Sequence, residues 1–361
     1  AINFHSPAAP PPPDFDGDGF DDLVVPVSKE DVGTLVDAGS VNVLYGSAAG
    51  ILKRGNQLWP KDKTGVPGTA AGNDLFGTGT ASGDFDNDGF SDLAVSAIGE
   101  DEFGAVYVFY GSSNGLTSKN ADRWRQGVNG VPGTGVSGDL FGSALAAGDF
   151  DGDGFYDLAI GAFRDRVSGV KAGTVTILRG GMNGLKSVGA QYWHQDKAGI
   201  PDECADLEGF GFALAVGDFN HDSHDDLAIG APGETSGGES NAGVVHVLFG
   251  SSNGLTTNNT QFWNQNNIDT GDSSEEGDGF GNVLSAGDYD GDDFDDLAIG
   301  VPLENFAGNA DAGAVHVLYG GVAGLTVFGS QRWNLNSPGL DGVPNANGLF
   351  GISMTSGDFN S

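Results

Sequence analysis

The chain has 361 residues, with 50 Asp+Glu against 15 Lys+Arg, a formal net charge of −35, 63 Gly and a single Cys. A negative field of this size repels nucleic acid and anionic membrane surfaces and attracts cations. No run of about 18 apolar residues occurs, so no transmembrane helix and no membrane insertion are expected, and Cys204 alone cannot close an internal disulfide.

Residues 1–13, "AINFHSPAAPPPP", read as a Pro-rich linker or a processed start. Next comes "DFDGDGFDDL" at 14–23, which recurs as "DFDNDGFSDL" (84–93), "DFDGDGFYDL" (149–158), "DFNHDSHDDL" (218–227) and "DYDGDDFDDL" (288–297). A sixth copy begins at "DFNS" (358–361). Starts are spaced 70, 65, 69, 70 and 70 residues apart. "FG" keeps the same period at 76–77, 141–142, 210–211, 280–281 and 350–351, and each of the five Trp lies 17 residues before the Phe of an "FG". So regular a period marks a repeat architecture.

The second period shows the elements in order: strands at 76–83 "FGTGTASG", 92–98 "DLAVSAI" and 105–111 "AVYVFYG", and a short one near 122–126 "DRWRQ". Apolar positions alternate, no 3.6-residue periodicity competes, and Gly, Asn, Asp and Ser separate the segments. Four strands per repeat predict an all-β chain folded as a β-propeller of four-stranded blades. One domain over 14–361 is expected, with repeats starting near 14, 76, 141, 210 and 280. The first copy lacks the "FG" strand and the last, 349–357 "LFGISMTSG", offers only that strand. Five blades are therefore expected, with 349–357 completing the first blade beside 22–28 and closing the ring, which leaves no bare edge. The rival reading is a larger propeller whose further blades lie beyond Ser361.

Within each acidic copy, oxygen side chains occupy positions 1, 3, 5 and 9, and position 7 offers a backbone carbonyl. The ligand sets are Asp14, Asp16, Asp18, Phe20 and Asp22; Asp84, Asp86, Asp88, Phe90 and Asp92; Asp149, Asp151, Asp153, Phe155 and Asp157; Asp218, Asn220, Asp222, His224 and Asp226; and Asp288, Asp290, Asp292, Phe294 and Asp296. Alternating side chains in a tight loop converge on one point, and a Gly at position 6 permits the turn. Several hard oxygens in flexible geometry suit Ca²⁺ better than Mg²⁺, which keeps water and demands an octahedron. About five Ca²⁺ ions are expected, and the bound dication makes the crowded carboxylates tolerable. The loops match the first nine EF-hand positions, but no glutamate stands at the twelfth and strand, not helix, follows. The fourth loop has Asn220 and Ser223, and the fifth has Asp293 at the glycine position, so both are expected to be strained and to bind more weakly, the fourth especially.

The order "FG", "GDFDxDGxxDL", then a triplet such as "GAP" (230–232), "GVP" (300–302), "GAF" (161–163) or "SAI" (96–98) resembles FG-GAP repeats. These form the propeller of integrin α subunits and of many bacterial surface and secreted proteins. The resemblance covers about residues 14–361 and implies calcium-stabilised blades and an extracellular setting. Well-known propellers of the family have seven blades, whereas this chain encodes five.

"GSSNG" (111–115 and 250–254) matches G-x-S-x-G formally, but a nucleophile elbow needs a following helix, and the sister copies "GSAAG" and "GGVAG" lack the central Ser. It reads as a blade turn. His246 and His316 take equivalent strand positions filled elsewhere by Asn42, Tyr107 and Thr176, a polar strand face. His5, His194, His221 and His224 form no pattern. No catalytic constellation is present, so the chain reads as a non-enzyme.

Trp59, Trp124, Trp193, Trp263 and Trp333 admit two readings: wedges packed between blades, or glycan-stacking platforms oriented by Arg123, Gln126, Gln195, Asn264 and Gln265. Five weak sites on one ring would give avidity. The Gly/Pro-rich loops after each Trp crowd one rim, where binding residues commonly sit. The reading is a secreted or cell-surface calcium-binding module, adhesive or lectin-like, for a glycan or an extracellular protein. The alternatives are the scaffold domain of a secreted hydrolase and a structural surface protein without a small ligand.

Overall fold

The computed structural model describes residues 12–52, 54–268 and 270–357. Most of the N-terminal linker and the sixth acidic copy at 358–361 lie outside the described residues. Nineteen strands form five antiparallel sheets, and among the described residues the only regular helix is a 3-10 turn at Glu100–Glu102.

Blade one has three strands: β1 (Leu23–Val27), β2 (Ser40–Leu44) and β3 (Gln57–Pro60). Blade two has β4 (Phe76–Gly83), β5 (Asp92–Ala97), β6 (Ala105–Tyr110) and β7 (Thr117–Trp124). Blade three has β8 (Ala144–Gly148), β9 (Asp157–Ala162), β10 (Thr174–Arg179) and β11 (Lys186–Trp193). Blade four has β12 (Ala213–Gly217), β13 (Asp226–Ala231), β14 (Val244–Phe249) and β15 (Thr256–Trp263). Blade five has β16 (Val283–Gly287), β17 (Asp296–Val301), β18 (Ala314–Tyr319) and β19 (Thr326–Trp333). Each blade runs as a meander. The strands expected in the second period stand where they were read, except that the outermost, β7, begins at Thr117. Its first half, Thr117–Asn120, is polar and half-exposed to exposed, so it carries no apolar pattern to read.

The expected alternation gives way in the two middle strands. β5, β9, β13 and β17 are buried at all six positions, and so are β6, β10 and β14. Blades stack face to face, so both faces of a middle strand are covered and both need apolar or small residues. Four apolar clusters fill the four wedges between consecutive blades. The Phe of each "FG" in blades two to five (Phe76, Phe141, Phe210 and Phe280) is fully buried there, each worth about 1.5–3 kcal/mol of apolar burial. Glycine sets the blade spacing: a Cβ on Gly161 would lie 2.2 Å from the Gly211 carbonyl oxygen of the next blade, and one on Gly230 2.1 Å from that of Gly281.

The five blades follow one another as an arc, with β1, β4, β8, β12 and β16 successive neighbours along the inside. Ring closure by 349–357 is not what the structure shows. Residues 349–357 form no strand, and the first sheet keeps three. Their described contacts run to blade five: the Phe350 amide donates to the Ala312 carbonyl at 3.0 Å, as Phe280 does to Ala242 at 2.8 Å. The "FG" corner at 350–351 thus docks on the preceding blade as every other "FG" does. β1 remains an edge, with Leu23 47% exposed where its counterpart Leu93 is 1% exposed. Pro26 lies within β1. Proline has no amide proton for a ladder and is confined to edge strands, which is the physical reason β1 is suited to being one.

Candidate metal centres and the opposite rim

The meander puts the loops joining first to second and third to fourth strands at one end of the blades. The acidic loops and the "GSSNG" turns share that end. Position 1 organises each acidic loop by accepting at least two amides, with a third from Gly17 and Gly291 in the first and fifth loops. Asp14 Oδ1 and Oδ2 accept from Asp18 at 3.2 Å and Gly19 at 2.9 Å. Asp84, Asp149, Asp218 and Asp288 repeat the pattern with Asp88 and Gly89, Asp153 and Gly154, Asp222 and Ser223, and Asp292 and Asp293. The amides of Phe20, Phe90, Phe155, His224 and Phe294 donate to the position-5 carboxylate. Position 6 is left-handed in all five loops: Gly19 (φ 85°), Gly89 (φ 90°), Gly154 (φ 89°), Ser223 (φ 70°) and Asp293 (φ 72°). The strain expected at Ser223 and Asp293 is therefore present.

Three carboxylate oxygens lie within 4.8 Å of one another in four loops: Asp14, Asp16 and Asp18; Asp84, Asp86 and Asp92; Asp149, Asp151 and Asp153; and Asp288, Asp290 and Asp296. Among the described residues the fourth loop brings no such trio together. Its Asn220 Oδ1 is buried without a partner and its Asp222 Oδ1 lies 3.1 Å from His224 Nδ1. The position-9 carboxyls are held back from ionising by burial. Asp92 is pushed up to about 8, Asp157 to about 7 and Asp296 to about 6, with Asp22 and Asp226 also raised. Neighbouring aspartates add to the effect, and a dication at the centre would reverse it. Buried Asp86 Oδ1 has no hydrogen-bond partner. A hard cation supplies what these oxygens lack, so the residues fit calcium.

Position 8 ties the loops together across blades, which the sequence reading missed. Asp225 Oδ2 accepts from the Asp149 amide at 2.7 Å, Asp295 Oδ2 from Asp218 at 2.9 Å, and Ser91 Oγ from Asp14 at 3.1 Å. A second missed feature is Arg179, which stands where the sister strands have Tyr or Phe. Its guanidinium pairs with Asp151 and lies 3.2 Å from Asp157. In the other four loops the position-9 carboxylate accepts the position-2 amide, as Asp92 does from Phe85 at 2.8 Å. Asp157 instead faces the guanidinium. The third loop thus carries its own cation.

The opposite end holds the loops after each Trp. Four Trp rings lie in the wedges: Trp59, Trp124 and Trp193 are at most 9% exposed and Trp263 is half-buried, while Trp333, on the last blade, is half-buried outside these clusters. Trp59 packs on Phe109 of the next blade with centroids 4.7 Å apart. Buried rings at Trp59, Trp124 and Trp193 offer no open face for a sugar. Gln126, Gln195 and Gln265 are also buried and engaged, reaching 39 residues ahead into the next blade. Their amides donate to Asp165 at 2.7 Å, Glu234 at 2.6 Å and Glu304 at 2.7 Å. At the first interface Lys61 does this, 2.6 Å from both Glu100 and Asp74. Arg123 pairs with Glu100 and Asp101.

The "GSSNG" turn at 111–115 is followed by strand β7, as expected of a blade turn. His246 and His316 do share a register position, but neither lies on an open face. Both are fully buried, His246 between Phe210 and Phe262, and His316 beside Thr270 and Asp272.

A profile of the FG-GAP repeat matches residues 76–109, 141–178, 210–248 and 280–318. The chain is an FG-GAP repeat protein. Each match opens at the "FG" corner and ends in the third strand, so it takes in blades two to five; blade one lacks the corner. Phosphatidylinositol-glycan-specific phospholipase D of Bos taurus is 33% identical over 186 residues, covering 49% of this chain and 21% of that protein. Integrin alpha-PS2 of Drosophila melanogaster is 32% identical over 235 residues, 62% of this chain and 15% of that protein. Integrin alpha-PS5 of the same organism is 34% identical over 151 residues, 41% and 14%. The FG-GAP chain spans about a seventh to a fifth of these relatives. No helix among the described residues is long and apolar enough to cross a membrane.

Proposed function

We propose that this FG-GAP propeller is a calcium-loaded binding module of the extracellular space or cell surface. Calcium is structural in this reading, and the ligand is a glycan or an extracellular protein. The observation that carries it is the row of acidic loops at one end. All five share one amide-bonded scaffold, four gather three carboxylate oxygens, and position-8 side chains link neighbours. Ions placed there would neutralise the crowded carboxylates of each loop, a local share of the net charge of −35, and fix neighbouring loops together. The similarity to integrin alpha chains supports an adhesive role. With Trp59, Trp124 and Trp193 buried, ligand contacts fall to the polar loops of the opposite rim.

Metal analysis of dialysed protein tests the calcium, with four to five ions expected and one or none refuting it. Melting in calcium and in EDTA tests the structural role. Ions that bind only the folded chain add about 1.4 kcal/mol per site at ten times Kd, and identical midpoints would sink the reading. Binding to a glycan array or to matrix proteins, with EDTA as control, tests the ligand class. A second reading, scaffold domain of a secreted hydrolase, is favoured by the similarity to a phospholipase D. Hydrolysis of a phosphatidylinositol-glycan by this chain alone would support an enzyme rather than a binding module.

A further inference from the structure

We propose that His194, Asp196 and Cys204 form a binding site for a zinc-type dication on the loop rim of blade three, separate from the acidic loops. One ligand atom from each of the three lies within 4.8 Å of the others. Tetrahedral zinc takes N, O and S ligands in such sets, and three protein ligands leave the fourth position to water or to an oxygen of a bound partner. Thiolate and imidazole together select a borderline metal over calcium, which wants oxygen alone.

The sister loop of blade four shows that the fold does not require these residue types. There Asn266 and Ser274 close the loop reciprocally: the Ser274 amide donates to Asn266 Oδ1 at 3.1 Å and Asn266 Nδ2 to Ser274 Oγ at 2.9 Å. Asp196 and Cys204 stand at the same distances from Trp193 as Asn266 and Ser274 do from Trp263, and the backbone bond recurs, Cys204 amide to Asp196 Oδ1 at 2.9 Å. His194 replaces Asn264 at the next equivalent position. One loop thus exchanges Asn, Asn and Ser for His, Asp and Cys at three positions that meet in space. The exchange keeps the loop closed through backbone amides, Cys204 to Asp196 Oδ1 and Asp196 to Cys204 Sγ at 3.4 Å, but removes the side-chain amide donor and sets a carboxylate against a thiol, a side-chain pairing that a cation would satisfy.

The three groups are suited to a metal. His194 Nδ1 is shielded from solvent and has no hydrogen-bond partner. Burial lowers the His194 pKa, keeping the ring neutral and its lone pair available. Burial pushes the Cys204 thiol up to about 11, with Asp196 and Glu208 adding to this. Binding therefore forms metal–N, metal–O and metal–S bonds and releases the thiol proton to solvent, with no change of oxidation state. Cys204 is half-buried and Asp196 exposed, so the loop surface gives access to the ion.

The test is titration of the calcium-saturated chain with Co²⁺ as a spectroscopic stand-in for Zn²⁺. One equivalent should bind with a thiolate-to-cobalt charge-transfer band, and Zn²⁺ should displace it. Cys204→Ser should abolish the band. The triple variant His194→Asn, Asp196→Asn, Cys204→Ser installs the blade-four set. It should keep the melting temperature of zinc-free wild type and lose zinc affinity by more than about a hundredfold. Absence of a thiolate band in wild-type protein overturns the proposal, whatever the variants do. So does equal zinc affinity in wild type and the triple variant, which would place the ion in the acidic loops.

Discussion

Glu304→Gln is expected to remove a defined part of the protein's sensitivity to alkali. The Glu304 side chain is 3% exposed, in the wedge between blades four and five. It accepts one hydrogen bond, from Gln265 Nε2 at 2.7 Å. Burial, with Asp272 and Asp278 nearby, raises its pKa from 4.5 to about 8. The folded protein therefore holds this proton more tightly than the unfolded chain does. The stabilisation is complete below pH 4.5, declines as pH rises, and is gone once pH passes 8. At 1.36 kcal/mol per pH unit the span corresponds to roughly 4–5 kcal/mol, which relaxation and water entry reduce to about 2 kcal/mol. Gln has the same shape, keeps a carbonyl oxygen for Gln265 and cannot ionise. Melting in saturating calcium should show the variant about 4 °C above wild type near pH 9, and the two coinciding near pH 5. Equal losses in both proteins between those pH values would refute the reasoning.

Replacing Arg179 by Tyr, the residue of most sister strands, should strengthen calcium binding at the third loop. Removing a cation within about 4 Å of two ligands is worth up to about 4 kcal/mol at a surface-like dielectric, so a gain of one to two orders of magnitude in affinity is expected. Calorimetric titration checks it, and superimposable isotherms would count against the tethered cation. Ser223→Gly relieves a left-handed serine and should raise the denaturation midpoint by about 0.5–1 kcal/mol, net of the greater freedom of glycine in the unfolded chain. A lower midpoint would show that the Ser223 side chain contributes more than its backbone costs. Lys61→Met strips the cation from buried Asp74, while Glu100 keeps Arg123, and should destabilise by about 3 kcal/mol in urea unfolding, because a buried carboxylate loses its partner. A change under about 1 kcal/mol would mean that the pair is dispensable.

The sequence by itself determined the features that repeat. The 65–70-residue period placed the strands of blade two, the acidic loops and the blade turns. It also located the strained position-6 residues Ser223 and Asp293, because a loop's conformation follows from residues a few positions apart. Features joining blades belong to the tertiary structure. Gln126, Gln195 and Gln265 looked like free polar residues beside each Trp, and only stacking turns them inward to an acid 39 residues away. Arg179 reads as a single irregularity until the fold sets it against Asp151 and Asp157. His194, Asp196 and Cys204 share no motif spacing, and one loop's path assembles them. Closure failed as an expectation because complementary absence in a sequence does not create a strand pair. β1 is an edge with a proline in it, and 349–357 is held by backbone bonds to blade five instead. Period and turn chemistry are local and survive in the order of residues, whereas burial and pairing depend on which face of a blade meets the next.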